Sequence, residues 1–155
     1  MKISRLACLA LVTAAATACD DGPSSPTRIS TGGSTAPVNL AGTWTGPAND
    51  SAGQMAMTWV LTQSDRNVAG TFTASTAVGA PIYTGGSIAG MVASGTTLTF
   101  TITVPQGSIV DAPDCSATYT GTAADLRADS MAGTYSGSDS CGGTFVGGRF
   151  SLLKQ

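Results

Sequence analysis

Apolar and polar residues alternate with a period of two through most of the chain beyond Leu40. In TLTFTITV, residues 97–104, Leu98, Phe100, Ile102 and Val104 fall on one face and Thr97, Thr99, Thr101 and Thr103 on the other. QMAMTWVLT, residues 54–62, repeats the pattern with Met55, Met57, Trp59 and Leu61. Successive side chains of a strand point to opposite faces, so this alternation predicts strands with one buried side. No helical apolar stripe interrupts it, and the abundant Thr, Val, Phe and Tyr suit a pleated surface. The region reads as all-β.

Turn signals divide it into about eight strands, at residues 41–46, 54–63, 67–74, 84–92, 96–104, 115–124, 130–138 and 143–153. SDRN (64–67) and ASGT (93–96) have hairpin-turn composition, which makes consecutive strands antiparallel neighbours. PQGSIVDAPD (105–114) is the one long connection. A meander of this kind predicts a single closed up-and-down barrel, because closure removes exposed strand edges. The alternative is a two-sheet sandwich.

A short motif echoes along the barrel region as LAGTWTG, VAGTFTA, IAGMVAS, ATYTGTA and MAGTYSG. Each of four copies sets a glycine two positions from an aromatic: Gly42 with Trp44, Gly70 with Phe72, Tyr119 with Gly121, Gly133 with Tyr135. Both members of a pair face the same way, so large and small side chains share a tapering interior, and glycine permits tight coiling. LAGTWTGP followed by VAGTFTAS resembles the opening hairpins of avidin-type barrels and, more loosely, the Gly-X-Trp start of lipocalins. The resemblance implies a calycin-like barrel. It does not imply biotin binding, since Gly46 stands where avidins place a binding Asn and Phe72 where they place a binding Tyr.

Before the barrel the pattern changes. Lys2 and Arg5 precede an apolar run from Leu6 to Val12 and the small triplet Ala16-Thr17-Ala18, so residues 1–18 read as a secretory signal peptide. The run is too short for a transmembrane helix, which needs about 20 apolar residues. Ala16-Thr17-Ala18 before Cys19 resembles a bacterial lipobox, although the triplet lacks the Leu preferred at its first position. The resemblance implies acylation of Cys19 and a lipid-anchored protein of the bacterial cell envelope; the same triplet also suits ordinary signal cleavage. Residues 19–38 are rich in Pro, Ser, Thr and Gly, a composition that reads as a disordered tether. The barrel domain is then residues 39–155.

Cysteine parity bears on the same question. Removal of Cys8 with the leader leaves Cys19, Cys115 and Cys141, an odd number for an oxidising compartment. Acylating Cys19 leaves Cys115 and Cys141 to pair in a disulfide. That bridge closes a loop worth roughly 3 kcal/mol in the chain-entropy account.

Composition narrows the chemistry. Only 10% of residues are charged and there is no His and no Glu. No Ser-His-Asp or Cys-His site can exist without His, and Lys154, the penultimate residue, is a poor place for a buried base. Asp111 with Asp114, and Asp125 with Asp129, read as solvated turns, and their spacing lacks the dense oxygen ligands of a calcium loop. No metal and no cofactor is expected. Nine Asp against five bases from Cys19 onward leave no basic patch for nucleic acid. These absences point away from an enzyme and toward a binding role.

Two versions of that role are open. One is a carrier of a small apolar ligand, held in the lumen near Trp44, Phe72, Phe100, Tyr119 and Tyr135. The other is a structural or protein-interaction module with a filled barrel, contacting an envelope partner through loops such as the one carrying Ile109 and Val110, two residues that otherwise cap the core. An open lumen favours the carrier and a packed one the module.

Overall fold

The computed structural model describes residues 37–93 and 96–155. Eight strands follow in chain order: β1 (Gly42–Asp50), β2 (Gly53–Ser64), β3 (Asn67–Ser75), β4 (Pro81–Ala93), β5 (Thr97–Val104), β6 (Ala117–Ala124), β7 (Ser130–Asp139) and β8 (Thr144–Lys154). Each pairs antiparallel with the next, and β8 pairs back onto β1 from Trp44↔Lys154 to Asn49↔Arg149, which closes the barrel. A closed ladder leaves no second sheet, so the sandwich alternative falls. The leader, Cys19 and the tether up to residue 36 lie outside the described residues, as do Ser94 and Gly95 of the ASGT turn.

The period-two reading holds cleanly in β2 and β5, whereas register shifts in the β3–β4 and β7–β8 pairings interrupt it in β4 and β8. β5 buries Leu98, Phe100, Ile102 and Val104, and β2 buries Met55, Met57, Trp59 and Leu61. The threonines face outward and line up across strands, Thr99 beside Thr122 and Thr101 beside Thr120. Boundaries differ where glycine or proline suggests a stop. β1 continues through Gly46 and Pro47 to Asp50, because the β1–β8 register includes no pair for Gly46 or Pro47 and the proline sits where the ladder is already interrupted. β4 starts at Pro81 rather than 84. Its first residues are held by the long connection, with Thr84 N donating to Ser108 O, Val110 N donating to Ile82 O, and Tyr83 bridging Ile109.

The two ends differ. The chain enters at the lower end, where Leu40 and Trp44 are fully buried and Leu126, from the β6–β7 turn, is nearly so. The Trp44 indole N–H donates to Leu40 O at 2.7 Å, Leu40 N donates to the Gln63 side chain, and the Lys154 ammonium lies 5.4 Å from the Trp44 ring. Val38, assigned by composition to the tether, also packs on the core. The upper end carries the β1–β2 hairpin, the 76–80 loop, the long 105–116 connection and the β7–β8 turn. Cys115 and Cys141 are disulfide-bonded there, with Cα atoms 5.7 Å apart, tying the long connection to the β7–β8 turn.

Candidate functional site

Inward alternation on β2, β5 and β8 brings three rings together at mid-barrel. Trp59 lies 5.0 Å from Phe100 and 5.1 Å from Phe150 between ring centroids, and Phe100 and Phe150 are 5.7 Å apart. Separations and tilts of this kind are the favourable range for aromatic pairs. Above them sit the chain's three tyrosines. Tyr83 of β4, Tyr119 of β6 and Tyr135 of β7 form a chain of rings at 6.0 and 5.9 Å, and Phe72 of β3 joins Tyr83 at 5.6 Å.

The tyrosines turn the upper end polar. The Tyr83 and Tyr119 hydroxyls are hydrogen-bonded to each other, and Tyr135 donates to Asp50 Oδ2 at 3.0 Å. Asp50, the last residue of β1, is held in turn by Ala52 N donating to Oδ1 at 2.8 Å. Burial raises all three phenols above their ordinary 10.0, and the nearby Asp50 carboxylate reinforces the shift. For Tyr119 and Tyr135 the hydrogen bond to a neighbour also raises it, whereas for Tyr83 the bond to Tyr119 acts the other way. The end of the barrel therefore presents neutral hydroxyls and the Asp50 carboxylate.

Between the tyrosines and the mid-barrel rings lies a small interior space. It is a cavity of about 10 Å³ whose wall includes Trp59, Phe72, Phe100, Tyr119 and Tyr135 together with Asp50, Met55, Met57, Tyr83 and Ile102. That volume is about the least one water molecule requires. Four of the five residues expected to line the lumen are gathered here. Trp44 is not among them: Leu40 and Lys154 hold its indole at the lower end, where it plugs the barrel. Ile109 is half-buried against the core through its bridge to Tyr83, while Val110 beside it is 45% exposed. The long connection thus splits into one residue that caps and one that faces out.

Sequence reasoning missed Trp59, Tyr83, Met55, Met57, Ile102 and Asp50 as cavity residues. Trp59 and the methionines are legible as inward-facing but have no glycine partner to mark them. Tyr83 falls outside the predicted fourth strand because Pro81 precedes it closely, and Asp50 lies beyond the predicted end of β1. At Gly46 a Cβ would collide with the Ser151 carbonyl of β8 and come within 3.1 Å of Leu152 Cα, so the close approach of β8 leaves no room for a side chain there.

One buried side-chain polar atom is unmatched among the described residues. Trp59 is fully buried and its Nε1 has no hydrogen-bond partner among the described residues. Leaving such a donor unpaired costs about 1–3 kcal/mol. The rest of the inventory is poor in chemistry, for among the described residues no group of three or more His, Cys, Asp or Glu could hold a metal ion.

No protein-family model and no curated protein sequence matches the chain. Solved structures do match its fold. A redesigned beta barrel, mFAP1, bound to DFHBI is 18% identical, covering 75% of this chain and 94% of that one with a TM-score of 0.52. The DFHBI-bound EF1p2_mFAP2b is 17% identical over 75% of this chain and 93% of that one, with a TM-score of 0.55. A fluorescence-activating beta barrel designed de novo is 19% identical over 75% of this chain and 94% of that one, with a TM-score of 0.50. At these identities the likeness is one of architecture, a closed β-barrel shared with designed proteins.

Proposed function

We propose that this chain is an exported, lipid-anchored, non-catalytic binding module of the bacterial cell envelope, whose working end is the tyrosine-lined end of the barrel. The observation that carries the reading is the asymmetry of the barrel. The lower end, where the chain enters, is sealed by apolar contacts and the satisfied Trp44 indole, while the upper end gathers every tyrosine of the chain, Asp50 and the disulfide-pinned connection. The nearly filled lumen favours the interaction module and weighs against a carrier of bulky apolar cargo such as a sterol or a long acyl chain, since sites for such ligands are cavities of about 300–1,000 Å³. What supports a small ligand is that designed barrels of similar fold hold a small compound, DFHBI.

The test is a titration of the ¹⁵N-labelled whole chain with a solvent extract of the host's small molecules, followed by two-dimensional NMR. Shifts concentrated on Asp50, Tyr83, Tyr119, Tyr135 and Val110 are expected. Shifts confined to the lower end or to the outer threonines would overturn the assignment of the working end.

A further inference from the structure

We propose that the groove over β1, β2 and β8 on the outer wall is a binding site for an N-acylated amino acid with an apolar side chain, its carboxylate held by Arg149. This site is separate from the tyrosine-lined end and does not depend on that reading. The groove has a volume of about 670 Å³ and a mostly apolar lining, and small-molecule sites run from about 300 to 1,000 Å³. Its first chemical feature is charge. Arg149 is an outward position of β8, next to buried Phe150, and neutral Asn49 and Thr134 stand opposite it on β1 and β7. No aspartate lines the groove. Among the described residues the other cations, Arg66, Arg127 and Lys154, lie at the lower end. A guanidinium in such surroundings favours a carboxylate, which it holds by a bidentate hydrogen bond.

The second feature is a carbonyl without a donor. Trp44↔Lys154, Thr45↔Leu153, Ala48↔Phe150 and Asn49↔Arg149 keep one register, which sets Pro47 opposite Ser151. Gln155 N donates to Thr43 O, whereas Lys154 N donates the other way, to Asp129 O. Along an antiparallel strand the N–H and C=O of one residue face the same neighbour, and successive residues face opposite neighbours. Ser151 therefore directs its carbonyl at β1, in agreement with the collision that a Cβ on Gly46 would make with that oxygen. Pro47 has no N–H to donate. Gly46, Pro47 and Ser151 all line the groove, which leaves this acceptor to a ligand's N–H. Arg149 and Ser151 are successive outward positions about 7 Å apart along the strand, a span that an arginine side chain covers. The fitting ligand carries a carboxylate and an N–H close together, with an apolar group to lie on Pro47, Ala56 and Ala77. An amino acid joins all three at one carbon. A free amine would set a second cation beside Arg149, so the nitrogen is acylated. A free N-acyl amino acid and the last residue of a polypeptide share this chemistry.

N-acetyl-leucine is the probe, with two analogues of matching shape: its carboxamide, which lacks the charge, and the ester in which oxygen replaces the N–H. The expected result is that N-acetyl-leucine binds the whole ¹⁵N-labelled chain about tenfold tighter than either analogue. It moves the NMR signals of Arg149 and Asn49 and leaves those of Tyr83, Tyr119 and Tyr135 in place. In Arg149→Gln the preference over the carboxamide falls to within about twofold, and in Pro47→Ala, which returns an N–H to the ladder, the preference over the ester does so. N-acetyl-alanyl-alanyl-leucine binding tighter than N-acetyl-leucine identifies the occupant as the end of a polypeptide; equal binding identifies a free N-acyl amino acid. The amide introduced by Pro47→Ala is expected to resist hydrogen exchange, and free exchange there would overturn the assignment of the Ser151 carbonyl. Equal binding of N-acetyl-leucine and its carboxamide would overturn the role of Arg149. Failure of every probe to bind would overturn the groove site while leaving the reading of the tyrosine-lined end intact.

Discussion

Replacing Gly133 with alanine should destabilise the barrel, and the structure indicates by how much. Gly133 sits on β7 beside Ala123 of β6 and Phe150 of β8. A Cβ added there would overlap the Thr122 carbonyl oxygen and come within 2.8 Å of Ala123 Cα and 2.7 Å of Phe150 Cζ. Two of those three atoms belong to the neighbouring backbone, so relief requires β6 and β7 to part rather than a side chain to turn. Overpacking of this kind costs typically about 1–3 kcal/mol. A domain of this size loses roughly 4 °C of Tm for each kcal/mol, which places Gly133→Ala about 4–12 °C below the parent in differential scanning calorimetry. Gly85→Ala is the control, because its Cβ would meet only Ser108 Oγ at 3.8 Å. Alanine there restricts the unfolded chain and should leave Tm unchanged or slightly raised. If both variants melt alike, close approach of β6 and β7 is not why glycine occupies position 133.

Loss of the disulfide, high pH and loss of the anchor each give a further outcome. Cys115→Ser paired with Cys141→Ser should lower stability by about 3 kcal/mol, from the loop closed over a sequence separation of 26, as read by urea denaturation; an unchanged midpoint would show that the bridge does not constrain the unfolded chain. The three tyrosines are raised above 10.0 by burial, so the folded state keeps protons that the unfolded chain gives up. The stability this contributes is fully present below about pH 10 and is lost as pH rises above it, by up to ~1.4 kcal/mol per pH unit for each tyrosine; phenolate absorbance should therefore appear together with unfolding, and a separate normal titration near 10 in the folded protein would refute the buried cluster. Cys19→Ser should abolish incorporation of radiolabelled fatty acid and release the chain from the membrane fraction, and a variant that remains labelled would show that another residue carries the lipid.

Much of the architecture is legible in the sequence because the strand period is short and nearly unbroken. TLTFTITV can bury Leu98, Phe100, Ile102 and Val104 only as a strand, and a one-residue slip would send all four to solvent. Closure follows from strand count and short turns, with β8 completing the ring on β1. The errors lie where a residue's usual meaning depends on its neighbours in space. Pro47 reads as a strand end from sequence, yet it sits at a gap in the β1–β8 register that no local signal reveals. Pro81 likewise hides the start of β4, which pairs with β3 across a register shift and also bridges the distant 105–116 connection. Trp44 and Trp59 look equivalent along the chain, both inward and both next to threonine. Only the structure separates a tryptophan held by Leu40 O from one with an idle donor.

The glycine–aromatic echo reads, along the chain, as a sharing of space between residues two apart on one strand. The closest approaches instead cross between strands, Gly133 against the Phe150 ring of β8 among them. Register between β7 and β8 decides which ring a glycine must clear, and register is not written in a seven-residue motif.

The central claim, that this barrel is a binding device and not inert packing, is tested most directly by native mass spectrometry of the whole chain recovered from its own host's membranes without denaturation. The account predicts a non-covalent mass excess, corresponding to one compact compound per chain, that disappears when the protein is denatured. A chain that carries no mass beyond its own disulfide-bonded polypeptide and its lipid would contradict it.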